Sequence, residues 1–185
     1  MTRETGRMTR ADSSSSALRP ATSIPAAFRT ATIADVDALT ELERIANEAA
    51  IGHLFAGIPF PTEEVAARWR AEVADPAMTV EVAEADAGLV CFVCFDAHRL
   101  QHLAVHPDHW GRGLARAAIE RAVARMTGDP VLWCLRDNTR ARRLYERLGW
   151  TLTDRTRRNV YPPHHEEVEY VLRRPAAGHA PATST

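Results

Sequence analysis

The stretch Leu103-Ala104-Val105-His106-Pro107-Asp108-His109-Trp110-Gly111-Arg112-Gly113-Leu114-Ala115 reads as a strand, a glycine turn and the start of a helix. That order can bind an anion. The first N–H groups of a helix have no partner inside it, and the aligned peptide dipoles add partial positive charge there. Gly111 and Gly113 allow close backbone approach, and positive φ where the turn needs it. Alone, such a turn is as often only a tight chain reversal. A second set of polar groups follows from Asn138 to Tyr145. Seven residues make nearly two helical turns, so the Asn138 amide and the Tyr145 phenol share one helix face. Each has a plain structural alternative, an N-cap for Asn138 and a packed aromatic for Tyr145. The cysteines, Cys91, Cys94 and Cys134, offer less. Cys91 and Cys94 lie in Leu89-Val90-Cys91-Phe92-Val93-Cys94-Phe95, an apolar run that reads as a buried strand. Residues three apart in a strand point to opposite faces, so these thiols are expected to be structural. No metal site is expected.

The elements that must position these groups alternate in type. A strand around Phe28 to Thr32 leads into a helix with Asp35 near its start and Leu39, Leu42, Ile45, Ala46 and Ala49 at helical spacing. Gly52 to Pro61 reads as a loop, and Thr62-Glu63-Glu64 opens a second helix through Trp69 and Val73. Strands are predicted over Thr79 to Glu84, Gly88 to Phe95 and Arg99 to Val105. A helix from Gly113 to Met126 follows, with Leu114, Ala118, Ala122 and Met126 in its apolar stripe. Then come a strand Val131 to Leu135, a helix Thr139 to Leu148, and strands Trp150 to Arg155 and Val168 to Leu172. This is a mixed α/β order, antiparallel neighbours plus at least one strand-helix-strand crossover. Residues 1–26, rich in Ser, Thr, Arg and Pro, are expected to be a disordered arm, and 175–185 a matching tail. The single domain expected between them is 27–174.

Composition narrows the function classes. The 185 residues are 45% apolar and 25% charged, enough for one full core. No run approaches the roughly 20 apolar residues of a membrane span, and the N-terminus lacks the apolar core of a secretory signal, so a cytoplasmic protein is expected. All 23 basic residues are Arg, which excludes a catalytic lysine or Schiff base. Net charge is −1 but unevenly placed. Ala31 to His98 carries 13 acidic and 3 basic side chains, whereas Arg99 to Arg158 carries 6 acidic side chains and 13 Arg. The second half should favour polyanions and the first cations. Near-neutral net charge with 6% aromatics does not fit a nucleic-acid binder.

The segment Trp110 to Ala115 resembles the acetyl-CoA-binding motif [Q/R]-x-x-G-x-[G/A] of the GNAT superfamily of N-acetyltransferases, with Gly113 and Ala115 on its small positions. Trp110 stands where Gln or Arg is usual, so the side-chain contact of that position is not carried over. Asn138 to Trp150 is similar to the family's N-x-x-A-x-x-x-Y-x-x-x-G-[F/W] segment. The resemblance covers Phe28 to Leu172. It implies a mixed, V-splayed sheet of about 6–7 strands flanked by about four helices. It implies that the backbone of Gly111, Arg112, Gly113, Leu114, Ala115 and Arg116 binds the pyrophosphate of acetyl-CoA, and that the backbone of Leu103 and Val105 holds its acetyl and pantetheine portion. Asn138 and Tyr145 complete the implied cofactor site. Tyr145 is the expected acid, because a phenol of ordinary pKa about 10 can protonate a departing thiolate at neutral pH.

The implied reaction is direct attack of an amine on the thioester. No general base announces itself: Glu81, Glu84, His53, Gln101, His102, His164, His165, Glu166 and Glu167 are all candidates. The expected partners are acetyl-CoA and an amine of a small molecule, without nucleic acid or membrane, and a homodimer is left open. Arg157-Arg158-Asn159-Val160-Tyr161-Pro162 faintly resembles a segment of bacterial ribosomal-protein N-terminal acetyltransferases. Those enzymes carry a glutamate in the strand before the Asn motif, where this chain has Trp133, Cys134, Leu135 and Arg136. A silent acetyl-CoA-binding regulatory module is the reading from another class.

Overall fold

The computed structural model describes residues 27–174, so the arm expected over 1–26 and the tail expected over 175–185 lie outside the described residues. After β1 (Phe28–Thr30), the helical spacing of Leu39, Leu42 and Ala46 becomes the buried stripe of α1 (Val36–Ile51). A 3-10 turn at Ile33–Asp35 introduces it, and Asp35 Oδ2 accepts the Thr32 N–H at 2.7 Å. The segment expected as a loop begins with a second 3-10 turn, Gly52–Phe55, before α2 (Thr62–Ala74). Next come β2 (Thr79–Ala85), β3 (Gly88–Phe95), β4 (Arg99–Val105), α3 (Leu114–Arg125), β5 (Val131–Leu135) and α4 (Thr139–Arg147). The chain then forms β6 (Thr151–Arg158) and β7 (Glu166–Val171).

The seven strands form one sheet in the order β1-β2-β3-β4-β5-β7-β6. Only β4 and β5 run parallel; every other pair is antiparallel. A right-handed crossover through α3 is the usual way to connect such a parallel pair. Both faces of the sheet are covered. On one face Leu114, Ala118 and Ile119 of α3 and Tyr145 of α4 pack with Cys91, Val93, Leu132 and Val168. On the other, Leu39, Leu42, Val65 and Trp69 of α1 and α2 pack with Phe92, Cys94 and Ala104. Cys91 and Cys94 thus belong to opposite cores, as strand alternation requires.

The last two strands differ from their sequence expectation. β6 runs three residues further than Arg155, and β7 begins at Glu166 rather than Val168. β6 is the edge strand and is exposed almost throughout, so it carries no apolar alternation to reveal its length. Cross-strand ion pairs extend it instead: Arg157 Nε meets Glu167 Oε2 at 2.5 Å, and Arg155 Nη1 lies 3.4 Å from Glu169 Oε1. Glu81 links the two charge halves. It is 2% exposed on β2 and takes Arg121 Nε and Nη2 at 2.9 Å each, with Arg125 Nη1 at 2.8 Å.

Candidate active site

β4 and β5 pair only at Arg99 with Val131 and Leu100 with Leu132, then separate. A β-bulge at Gln101 coincides with the parting, since Phe95 pairs with Leu100 but Cys94 pairs with His102. Beyond it the His106 N–H donates to Val90 O at 2.8 Å. Antiparallel alternation therefore turns the polar backbone of His102 and Ala104 toward β3, and that of Leu103 and Val105 toward the gap. An extended ligand can add to this edge as a strand would. The edge is not wholly free. Trp110 Nε1 donates to Val105 O at 2.8 Å, and the Arg140 guanidinium lies 3.8 Å from the centroid of the Trp110 ring. The tryptophan at the motif's unusual position thus bridges the β4 edge to the first turn of α4.

Past β4, a 3-10 turn at Pro107–His109 leads to Gly111 (φ 75°) and Gly113 (φ 84°), both in the left-handed region. Gly113 is the N-cap of α3 and has no side chain to occupy the helix's first donors. Ala117 N–H makes the first intrahelical bond, to Gly113 O at 3.0 Å, so the N–H groups of Leu114, Ala115 and Arg116 precede the ladder. A Cβ built on either glycine would meet no atom within 4 Å. Their necessity in the protein itself lies in backbone conformation, not in crowding.

Asn138 caps α4, its Oδ1 accepting the Ala141 N–H at 3.1 Å, so the structural alternative raised for it holds. Its side-chain amide nitrogen is not used by that cap. Tyr145 is buried, 6.2 Å from Trp150 and 6.0 Å from Tyr170 between ring centroids. It shares its core cluster with Val105, Leu114 and Cys134, and Leu103 packs against that cluster. Burial, with Cys134 adding to it, pushes the Tyr145 phenol well above its ordinary value.

Of the base candidates, most are held elsewhere. Glu81 is locked by Arg121 and Arg125, Glu84 by Arg29, and Glu166 by Arg136. Glu167 is held by Arg157 and Asn159, and Gln101 donates to Asp96 Oδ2 at 2.8 Å. His164 Nδ1 is 3.0 Å from Asn159 O, and His165 Nε2 is 2.7 Å from Leu54 O. His102 alone among them has its ring on a carboxylate, Nε2 lying 2.9 Å from Glu72 Oε1. Glu72, near the end of α2, carries no motif, and only the packing of α2 on β4 brings it here.

The model of the Acetyltransferase (GNAT) family matches residues 38–150. The chain belongs to this family. By that membership it is an N-acetyltransferase, and the parted strands and glycine-started helix lie within the matched span. No curated protein matches it in sequence. Among solved structures it is similar to the N-acetyltransferase PaiA of Thermoplasma acidophilum in complex with coenzyme A, at 17% identity, over 79% of this chain and 98% of that one, with a TM-score of 0.61. YncA of Salmonella typhimurium, solved with acetyl-CoA, is 22% identical over 85% of this chain and 99% of that one, with a TM-score of 0.60. The ribosomal-protein-S18-alanine N-acetyltransferase of Escherichia coli is 20% identical over 83% and 96%, with a TM-score of 0.61. At these identities the likeness is one of fold; this chain's mixed seven-stranded sheet with four helices is the GNAT fold.

Proposed function

We propose that this GNAT chain moves the acetyl group of acetyl-CoA to an amine of a small molecule by direct attack, within a single cytoplasmic domain over 27–174. The observation that carries the reading is the unpaired β4 edge at Leu103 and Val105, running into the N-terminus of α3 with Tyr145 packed beside it. The site fits the cofactor: strand donors and acceptors, then helix N–H groups at two positive-φ glycines. When bound, acetyl-CoA supplies an activated acyl thioester. The backbone from Gly111 to Arg116 would take its pyrophosphate, and the Leu103 N–H would stabilise negative charge developing on the carbonyl oxygen. Asn138 would offer its amide nitrogen alongside. Tyr145 would give its proton to the departing sulfur; its burial keeps the phenol protonated but also makes it a weaker acid than an ordinary phenol. A small acceptor is supported by the contact of His165 with Leu54 O and of the His165 and Phe55 rings, 5.1 Å apart, which tie the α1–α2 and β6–β7 loops together.

The test is thiol release with a panel of amines and N-terminal peptides, followed by single-turnover kinetics of Tyr145→Phe. The phenylalanine keeps the packing, so acetyl-CoA binding should be near normal while the transfer step slows by about 10²–10⁴-fold. Equal transfer rates would remove Tyr145 as the acid. Turnover confined to peptides would favour the protein N-terminal acetyltransferase reading, and binding without transfer to any acceptor would favour the silent module.

A further inference from the structure

The two faces of the sheet at the β4 edge carry different chemistry. Leu103 and Val105 point toward the α3 and α4 side, where Tyr145 lies; His102 and Ala104 point toward α1 and α2. The α1–α2 and β6–β7 loops border that second face, since Phe60 and Tyr161 pack against its core. An amine that approached beneath those loops would meet the edge from the face opposite Tyr145.

His102 stands on that face, one residue, roughly 3.3 Å along the strand, before Leu103. Its ring is fixed twice, by Glu72 Oε1 at 2.9 Å from Nε2 and by Trp69, whose ring meets it edge-on at 5.5 Å and 67°. Glu72 is itself held by Arg68 Nη1 at 2.9 Å, and Arg68 Nη2 reaches Glu43 Oε2 at 2.6 Å. Burial works against the Glu72 charge, but His102 and Arg68 together keep its carboxyl below its ordinary value. A carboxylate can only accept, so Nε2 must carry the proton and the neutral ring keeps its lone pair on Nδ1. The other group facing the dyad is the Cys94 thiol, 3.8 Å from Glu72 Oε2 and held protonated by burial. His102 is partly exposed, as a group that exchanges protons with water must be.

We propose that His102 is the general base of the transfer and that Glu72 positions it, an inference that rests on the acetyltransferase reading above. As the N–C bond forms and the C–S bond breaks, the proton shed by the amine goes to His102 Nδ1. The departing sulfur takes a separate proton, from Tyr145. The imidazolium is stabilised by Glu72 and returns its proton to water, and the Tyr145 phenolate takes one back from water, before the next turnover.

Two measurements test this on the full chain. Nitrogen-detected NMR of the ring in the wild-type protein should find the proton on Nε2 and a bare Nδ1; the opposite tautomer overturns the proposal. In the pH profile of kcat/KM, activity should rise as an imidazole loses its proton, and His102→Gln should abolish that limb and lower kcat about 10²–10³-fold at neutral pH with unchanged acetyl-CoA affinity. Glu72→Gln should lower kcat with acetyl-CoA affinity unchanged, and an unchanged rate in that variant would remove Glu72 as the positioning residue. A His102→Gln profile that keeps the wild-type limb and rate overturns the proposal while leaving the transferase reading intact. Failure of the wild-type chain to acetylate any amine would overturn both.

Discussion

Gly113→Val separates the two demands that the α3 turn places on its backbone. Gly113 sits at φ 84° with no atom within 4 Å of a built Cβ, so the first side-chain carbon of a valine meets no clash in the protein itself. The folding cost is then the left-handed conformation of a β-branched residue, about 1–2 kcal/mol. For a domain of this size that lowers Tm by about 2–8 °C and leaves the protein folded at 25 °C. Binding should suffer separately, because in the proposed function the same open space is where a phosphate approaches the helix N–H groups. Acetyl-CoA affinity is expected to fall at least tenfold, about 1.4 kcal/mol. Gly128→Val is the control: Gly128 also has positive φ, 62°, and an empty Cβ position, but lies beyond the other end of α3. Twelve helical residues put it about 18 Å away. Calorimetric titration should give the Gly128 variant wild-type affinity at a similar Tm loss. Equal dissociation constants for both variants and wild type would refute the turn as the phosphate site.

Glu81→Gln should cost about 1.5–3 kcal/mol at pH 7, since it weakens charged hydrogen bonds to Arg121 and Arg125. The two arginines outweigh burial and hold the Glu81 carboxyl below its ordinary value, so this stability is full above the unfolded pKa and lost as pH falls through the folded one. Urea titrations of wild type and variant should therefore converge on acidification; a pH-independent gap would contradict the ion-pair account. Burial pushes the Cys91 and Cys134 thiols up to about 12 and raises Cys94 as well. Alkylation at pH 8 should be slow for all three until the chain is unfolded, and fast labelling of one native thiol would rule out its structural role.

Helices and inner strands were legible because burial imposes a period. β3, β4 and β5 each end on the last residue of an apolar run, and the stripe of α3 packs as its spacing requires. Asn138 was readable as a cap because capping is local, a bond to the N–H three residues on. The ends of β6 and β7 were not readable. The registry of β6 comes from charges on β7 rather than from an apolar face of its own, and β7 opens with Glu166 and Glu167, which give no apolar signal.

The same division runs through the candidate site. By itself the sequence determined the glycine turn, the helix it starts and the Asn138-to-Tyr145 segment, because each depends on groups a few residues apart in the chain. Only the tertiary structure decided that β4 parts from β5 after Leu100, leaving Leu103 and Val105 unpaired, since pairing depends on a strand about thirty residues away. It also decided that Trp110 reaches back to the Val105 carbonyl and stacks under Arg140. Glu72 carries no local signature, and His102 was one candidate among nine. Their meeting at 2.9 Å exists because α2 docks its Trp69 face on the far side of β4, and burial of that face fixes which polar side chains at its margin can touch.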